Sequence, residues 1–310
     1  MLDFLSSLGE QVVDAEEESF LLFTRDIPSA NLGFVDARAS VVDVTLHGQE
    51  LAIHQSPTLL SSRREGGTTG AVLWKITPRF AEWIAAPKNP FFAASILNPA
   101  ATVVELGCGI SGLVALALAP RVSHYIATDQ EYVRKIFKLN IDENVQAQPK
   151  KRGGGGGGRS RTEKSNNNNN NSKITFTPLD WEVDNPTTLK QTIPNTAEEP
   201  SDPGFDLLIS CDCIYNEALV PAFVRTCADI CRLRPVYQPD TNPETEITLA
   251  ERPTVCVIAQ QQRSPDVFET WLRETMRVFD VWRLSDEVLG DGLKDGTGYI
   301  VHALVLKPSP

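Results

Sequence analysis

The stretch VVELGCGISG, residues 103–112, ends an apolar run in an acid and then sets Gly107, Gly109 and Gly112 in the spacing G-x-G-x-x-G. Such a loop turns a chain tightly from a strand into a helix and lets a nucleotide cofactor approach the backbone. Two acids accompany it. Glu105 stands two residues before the first glycine, and Asp129 stands twenty beyond Gly109. An acid at the place of Asp129 accepts hydrogen bonds from both ribose hydroxyls of an adenosine. Glu105 discriminates between cofactors. A carboxylate at the strand end would repel the doubly anionic pyrophosphate of a nicotinamide dinucleotide. It suits S-adenosylmethionine, which has no phosphate and carries an ammonium and a sulfonium. The structural alternative is a tight turn flanked by two solvated acids.

Two further groups could do chemistry. In LDW, residues 179–181, Asp180 can accept from an adenine amino group and Trp181 can stack on the ring. Trp181 reads equally well as a plug at the edge of a core. In CDCIY, residues 211–215, Asp212 and Tyr215 lie three apart. The acid can orient an amine nucleophile and the tyrosine can wall a narrow channel. The alternative there is an N-cap aspartate with a packed tyrosine.

The elements that position these residues follow from the hydrophobic pattern. Apolar runs over 101–107, 123–129, 173–181, 205–212, 253–260 and 298–307 read as strands. Helical patterns over 111–119, 130–144, 216–233 and 264–279 separate them. Fully apolar strands alternating with helices imply a parallel sheet covered on both faces. Such a sheet binds ligands at the carboxyl ends of its strands. Upstream, residues 39–55 alternate as a β-hairpin, and 68–86 read as a helix whose start Pro78 obscures. The first thirty residues are acidic and show no clear element. An N-terminal segment over 1–69 and one large domain over 70–310 are expected.

Composition sets limits. The chain has 310 residues, 41% of them hydrophobic, enough for a sizeable core. No apolar run approaches the ~18 residues of a membrane span. The N-terminus has no basic region ahead of an apolar one, so no leader is expected. Of six cysteines, 211/213 make a C-x-C and 227/231 a C-x-x-x-C, 108 and 256 stand apart, and the four histidines are scattered. These spacings do not make a zinc set. Net charge is −11. Lys150, Lys151, Arg152, Arg159, Arg161 and Lys164 against Glu163 put +5 on one short segment, leaving −16 elsewhere. An acidic body argues against binding nucleic-acid phosphates and suits a basic partner. That basic segment belongs to a Gly/Asn-rich stretch over 147–172, expected to be an expanded surface loop because its composition cannot bury apolar surface. A cytoplasmic chain is expected, with KKR leaving a nuclear address open.

Together these residues resemble the seven-β-strand methyltransferases, and within them the lysine-specific group called methyltransferase family 16. The motifs that carry the resemblance are ELGCGISGLV, IATD, LDW, DCIY and, upstream, TGAVLWKITPRFAEWI. ELGCGISGLVALALAP is especially similar to fungal members that modify a large-subunit ribosomal protein. The resemblance covers about residues 35–306, apart from the low-complexity loop. It implies a Rossmann-like α/β fold: a seven-stranded sheet with a final antiparallel hairpin over 278–284 and 298–306, preceded by the N-terminal β-hairpin. It implies S-adenosylmethionine as cofactor and a lysine of a protein as methyl acceptor, in a monomer without metal. Trp74 would line the methionine end, with Glu105, Gly107, Cys108 and Gly109 as the floor around it. Asp129 would take the ribose, Asp180 and Trp181 the adenine, and Cys211 would contribute backbone to the pocket. Asp212 and Tyr215 would face the lysine. The rivals are transfer to a small metabolite or nucleic acid, a donor-binding module without turnover, and a dehydrogenase.

Overall fold

The computed structural model describes residues 1–24, 33–62, 67–146, 173–193, 202, 204–236 and 252–308. The Gly/Asn-rich stretch over 147–172 lies outside them, as do most of the Pro-rich connectors. Among the described residues ten strands are formed: β1 (Gly9–Val12), β2 (Val41–Leu46), β3 (Gln49–His54), β4 (Thr102–Leu106), β5 (His124–Asp129), β6 (Ile174–Pro178), β7 (Leu207–Cys211), β8 (Val255–Gln261), β9 (Phe279–Leu284) and β10 (Tyr299–Leu306). The helices that matter for the site are α1 (Leu2–Leu8), α2 (Ala15–Phe23), α3 (Ile76–Ile84), α4 (Leu113–Leu118), α5 (Arg134–Gln146), α6 (Val220–Cys231) and α7 (Pro265–Met276).

Eight strands form one sheet in the order β1-β9-β10-β8-β7-β4-β5-β6. β6, β5, β4, β7 and β8 run parallel, whereas β10 pairs antiparallel with both β8 and β9. Counted from β4 as the first core strand, the order is 3-2-1-4-5-7-6. The Rossmann-like sheet with its final antiparallel hairpin is therefore present. A dinucleotide-binding sheet continues 4-5-6 in parallel instead. Alternate side chains of β4 enter different cores: Val103 faces α3, α4, α5 and the hairpin, and Val104 and Leu106 face α6 and α7. Burial on both faces is why these strands read as unbroken apolar runs.

Two features depart from the sequence reading. The sheet has an eighth strand, because β1 pairs with β9 in register Gly9↔Leu284 to Val12↔Val281. A Cβ on Gly9 would lie 1.9 Å from the Arg283 carbonyl oxygen, so glycine permits that close pairing. The segment over 68–86 is not one helix. A 3-10 turn, Thr69–Ala71, precedes an extended stretch in which Trp74 bridges to Phe34, and α3 begins only at Ile76. Pro78 falls in the first turn of α3, where its missing N–H has no helical partner to lose.

Hairpin β2–β3 docks on α5 through two buried asparagines. Asn140 accepts from His54 N at 2.8 Å and donates to His54 O at 2.9 Å. Asn144 does the same with Ala52, at 3.2 and 3.0 Å. Asn140 Nδ2 also donates to Ile110 O at 2.8 Å, inside the glycine loop. One side chain thus ties the hairpin, the helix and the loop together. Asn140→Ala would leave the His54 N–H and the Ile110 carbonyl without partners and should cost about 2 kcal/mol. A lowered denaturant midpoint would show this; an unchanged midpoint would mean that the hairpin is held by its apolar face alone.

Candidate functional site

The glycine loop leaves β4 at its carboxyl end, where β5 lies on one side and β7 on the other. Strand order reverses direction there, which opens a crevice. A cleft of about 460 Å³ occupies it. That volume suits a nucleoside-sized ligand. Trp74, Glu105, Gly107, Cys108, Gly109, Asp129, Asp180, Trp181, Cys211, Asp212 and Tyr215 all line it.

Gly107, Gly109 and Gly112 have φ of 69°, 59° and 61°, the left-handed region that favours glycine. At Gly107 there is a second constraint: a Cβ would lie 2.3 Å from Cys213 Sγ and 3.3 Å from the Trp181 ring. Asp129 fixes the path of the loop. Its Oδ2 accepts from Gly109 N at 2.8 Å and its Oδ1 from Gln130 N at 2.7 Å. Ile110 N donates to Gly70 O at 3.0 Å, so the upstream turn closes over the loop.

Glu105 is buried, and its Oε2 accepts from Tyr125 OH at 2.8 Å. Tyr125 sits on the same sheet face, because Val103 pairs with Tyr125 and Glu105 with Ala127. Burial pushes the Glu105 carboxyl up to about 8, the tyrosine bond opposes this, and nearby Asp129 adds to it. Burial also raises Asp129, to about 6, against its two backbone hydrogen bonds. Two adjacent acids held above their ordinary range make a site that a cation would satisfy. The Cys108 and Cys211 thiols are likewise driven well up by burial and are not poised as nucleophiles.

At the β6 end, Trp181 is wedged between the glycine loop and Phe223, whose ring centroid is 5.0 Å away. Its indole N–H is buried without a partner among the described residues. The ring therefore plugs a core edge and also walls the cleft. Asp180 Oδ1 accepts from Glu182 N at 3.0 Å, which turns the segment after β6.

At the β7 end, Asp212 has φ 66° and a nearly buried side chain, 2% exposed. Aspartate tolerates the left-handed region better than most residues do. Its Oδ1 accepts from Arg263 Nη1 at 2.7 Å and from Gln261 N at 3.1 Å, and its Oδ2 from Arg263 Nη2 at 2.5 Å. The Arg263 guanidinium also lies over the Trp74 ring, 4.7 Å from its centroid. Trp74 Nε1 donates to Thr69 O at 3.0 Å, and Thr69 Oγ1 donates to Tyr215 OH at 3.2 Å. Tyr215 is 37% exposed, at the lip of the cleft. Sequence reasoning missed Tyr125, Thr69 and Arg263. The adjacency of β7 and β8 ends was the signal for Arg263, since both strands finish at the same sheet edge.

No family model matches the chain. Over 238 residues it is 28% identical to the ribosomal lysine N-methyltransferase 5 of Zygosaccharomyces rouxii, covering 72% of this chain and 69% of that protein. Further yeast proteins of that name match at 24–30% identity. The resemblance read from the motifs is thus present over most of the chain. It is also 26% identical to the diaminohydroxyphosphoribosylamino-pyrimidine deaminase of Schizosaccharomyces pombe, over 90% of this chain and 54% of that protein. The chain therefore spans about half the length of that relative. The H-x-E and P-C-x-x-C pattern of zinc deaminases does not occur in this sequence. Among solved structures, the N-methyltransferase NodS from Bradyrhizobium japonicum, crystallised with S-adenosyl-L-homocysteine, matches with TM-score 0.35 and 11% identity, over 75% of this chain and 99% of that one.

The Glu105 carboxyl has a direct pH consequence. Its folded value, about 8, lies above its ordinary 4.5, so the fold prefers the neutral acid. The associated stability is full below about pH 4.5 and is lost as pH rises towards 8. Wild type should therefore lose about 3 kcal/mol more than Glu105→Gln between about pH 4.5 and 7. Denaturant titrations of both proteins across that range measure the difference. Parallel curves would mean that Glu105 ionises freely.

Proposed function

We propose that this chain transfers a methyl group from S-adenosylmethionine to a lysine side chain of a protein, with a large-subunit ribosomal protein as the substrate class. The observation that carries the reading is the pair of acids around a glycine loop, Glu105 buried and Asp129 half-buried, both held above their ordinary range. They ask for a cation and disfavour a pyrophosphate. The similarity to proteins named ribosomal lysine N-methyltransferase 5 supports the same reading and suggests the acceptor.

The residues present fit the donor. The glycines leave a cradle, and the unpartnered Trp181 N–H offers a donor at the purine end. Trp74, Glu105, Gly107, Cys108 and Gly109 would hold the methionine end. Asp129, with one acceptor place left on each oxygen, would hold the ribose, and Asp180 and Trp181 the adenine. Cys211 closes the floor beside them. Bound there, S-adenosylmethionine supplies an electrophilic methyl group beside a fixed positive charge.

Asp212 and Tyr215 form the acceptor end. A lysine amine must lose its proton first, since its reference value is about 10.4. Positive charge on the donor favours the neutral amine. The contribution of the chain is then orientation and desolvation of the amine. After β7 the chain reads DCIY, without the prolines common in base-methylating enzymes, which supports a protein acceptor over a nucleobase. The reading assigns methyl transfer to residues 70–310, with 1–69 as an N-terminal extension, in a cytoplasmic monomer.

Incubation of the purified chain with donor labelled on its methyl group and a ribosomal extract tests this. Label should appear on a lysine of a large-subunit protein. Asp212→Ala should lower that transfer on the order of 100-fold and leave S-adenosylhomocysteine binding nearly unchanged. Label on RNA or small molecules alone would contradict the reading.

A further inference from the structure

Arg263 is outside every motif, yet it makes the strongest contacts at the acceptor end. An ionised carboxylate offers about four acceptor places. On Asp212, two donors meet Oδ1 and one meets Oδ2, so three places are taken by Arg263 and Gln261. One place remains, on Oδ2, in a carboxylate that lines the cleft. The pair is desolvated, with side chains 18% and 2% exposed, so the bidentate geometry is held in a low-dielectric setting. Arg263 lies behind Asp212 and does not line the cleft. Its guanidinium rests on Trp74, and through Thr69 the same chain of contacts reaches Tyr215. The two acceptor residues are thus braced against the Trp74 wall from both ends. Gly33 covers the assembly: a Cβ there would lie 2.0 Å from Gln261 Oε1 and 3.0 Å from Arg263 Nη2.

We propose that Arg263 is the positioning residue of the acceptor end, holding Asp212 so that its one remaining acceptor place takes a single N–H of the incoming amine. This rests on the methyl-transfer reading above. Arg263 acts through Asp212 and touches neither donor nor acceptor. A lysine in its place would keep the charge but lose the planar fork that grips both oxygens.

A double-mutant cycle with methyl-transfer kinetics on a protein acceptor tests the assignment, using Arg263→Ala, Arg263→Lys, Asp212→Ala and the double variant Asp212→Ala/Arg263→Ala. Arg263→Ala should lower kcat on the order of tenfold to a hundredfold, and Arg263→Lys should recover part of the loss. S-adenosylhomocysteine affinity, measured on the same samples, should stay within about threefold and show that they are folded. In the Asp212→Ala background, Arg263→Ala should change kcat less than about twofold, because the residue through which it acts is gone. Multiplying losses in the double variant, or full kcat in a folded Arg263→Ala, would overturn the assignment while leaving the functional reading intact. If Arg263→Ala does not fold, full kcat in Arg263→Lys overturns it in the same way. A wild-type chain that methylates no protein would overturn the functional reading and this role with it.

Discussion

The hydrogen bond from Gly109 N to Asp129 Oδ2, 2.8 Å long, joins the end of one parallel strand to the loop that leaves its neighbour. The loop crosses the sheet edge in left-handed conformations that only this bracing and its glycines allow. Once it is so placed, Glu105 is sealed beneath it with Tyr125 as its hydrogen-bond partner. Burial then holds two carboxyl groups, not one, above their usual range in the same cleft. The electrostatic character of the site thus follows from the geometry of one turn. A cleft of this kind is unsuited to a phosphate and suited to a cation-bearing nucleoside.

The surrounding fold keeps that turn rigid from several directions. Gly70 O takes the Ile110 N–H from above, and Asn140 takes the Ile110 carbonyl from α5. Cys213 and Trp181 fill the space beneath Gly107 so closely that no side chain fits there. The acceptor end is built in the same manner. Asp212 leaves β7 in a left-handed conformation, and Gln261 N at the end of β8 and Arg263 two residues beyond it hold its carboxylate. Each end of the cleft therefore has an acid at a strand terminus, braced by the adjacent strand. Each acid has few acceptor places left for a ligand.

The parallel strands were legible because burial on both faces leaves an unbroken apolar signature. β1 was not: it is a four-residue edge strand, GEQV, with most of its side chains exposed, and its pairing rests on a glycine rather than on hydrophobic alternation. The segment ahead of α3 carried a helical pattern, but Trp74 pairs with Phe34 and fits no helix there. At the site, Glu105, Asp129 and Asp212 were legible since each ends an apolar run. Their partners were not. Tyr125 reaches Glu105 across strands, Arg263 reaches Asp212 across 51 residues, and Thr69 reaches Tyr215 across 146. Contacts at such separations leave no local spacing to read. Trp181 was legible as a cleft residue, but its packing on Phe223 appears only in three dimensions.

The central claim is that two acids at the glycine loop, one buried and one half-buried, select a phosphate-free, cation-bearing nucleoside. Calorimetric titration with S-adenosylhomocysteine and with NAD, near pH 7 in buffers of different ionisation heat, tests it most directly. The account predicts that S-adenosylhomocysteine binds with net proton release of up to about one per site, as its ammonium draws Glu105 into the ionised form, and that NAD gives no binding heat. Tighter binding of NAD, or binding of S-adenosylhomocysteine without proton release, would contradict it.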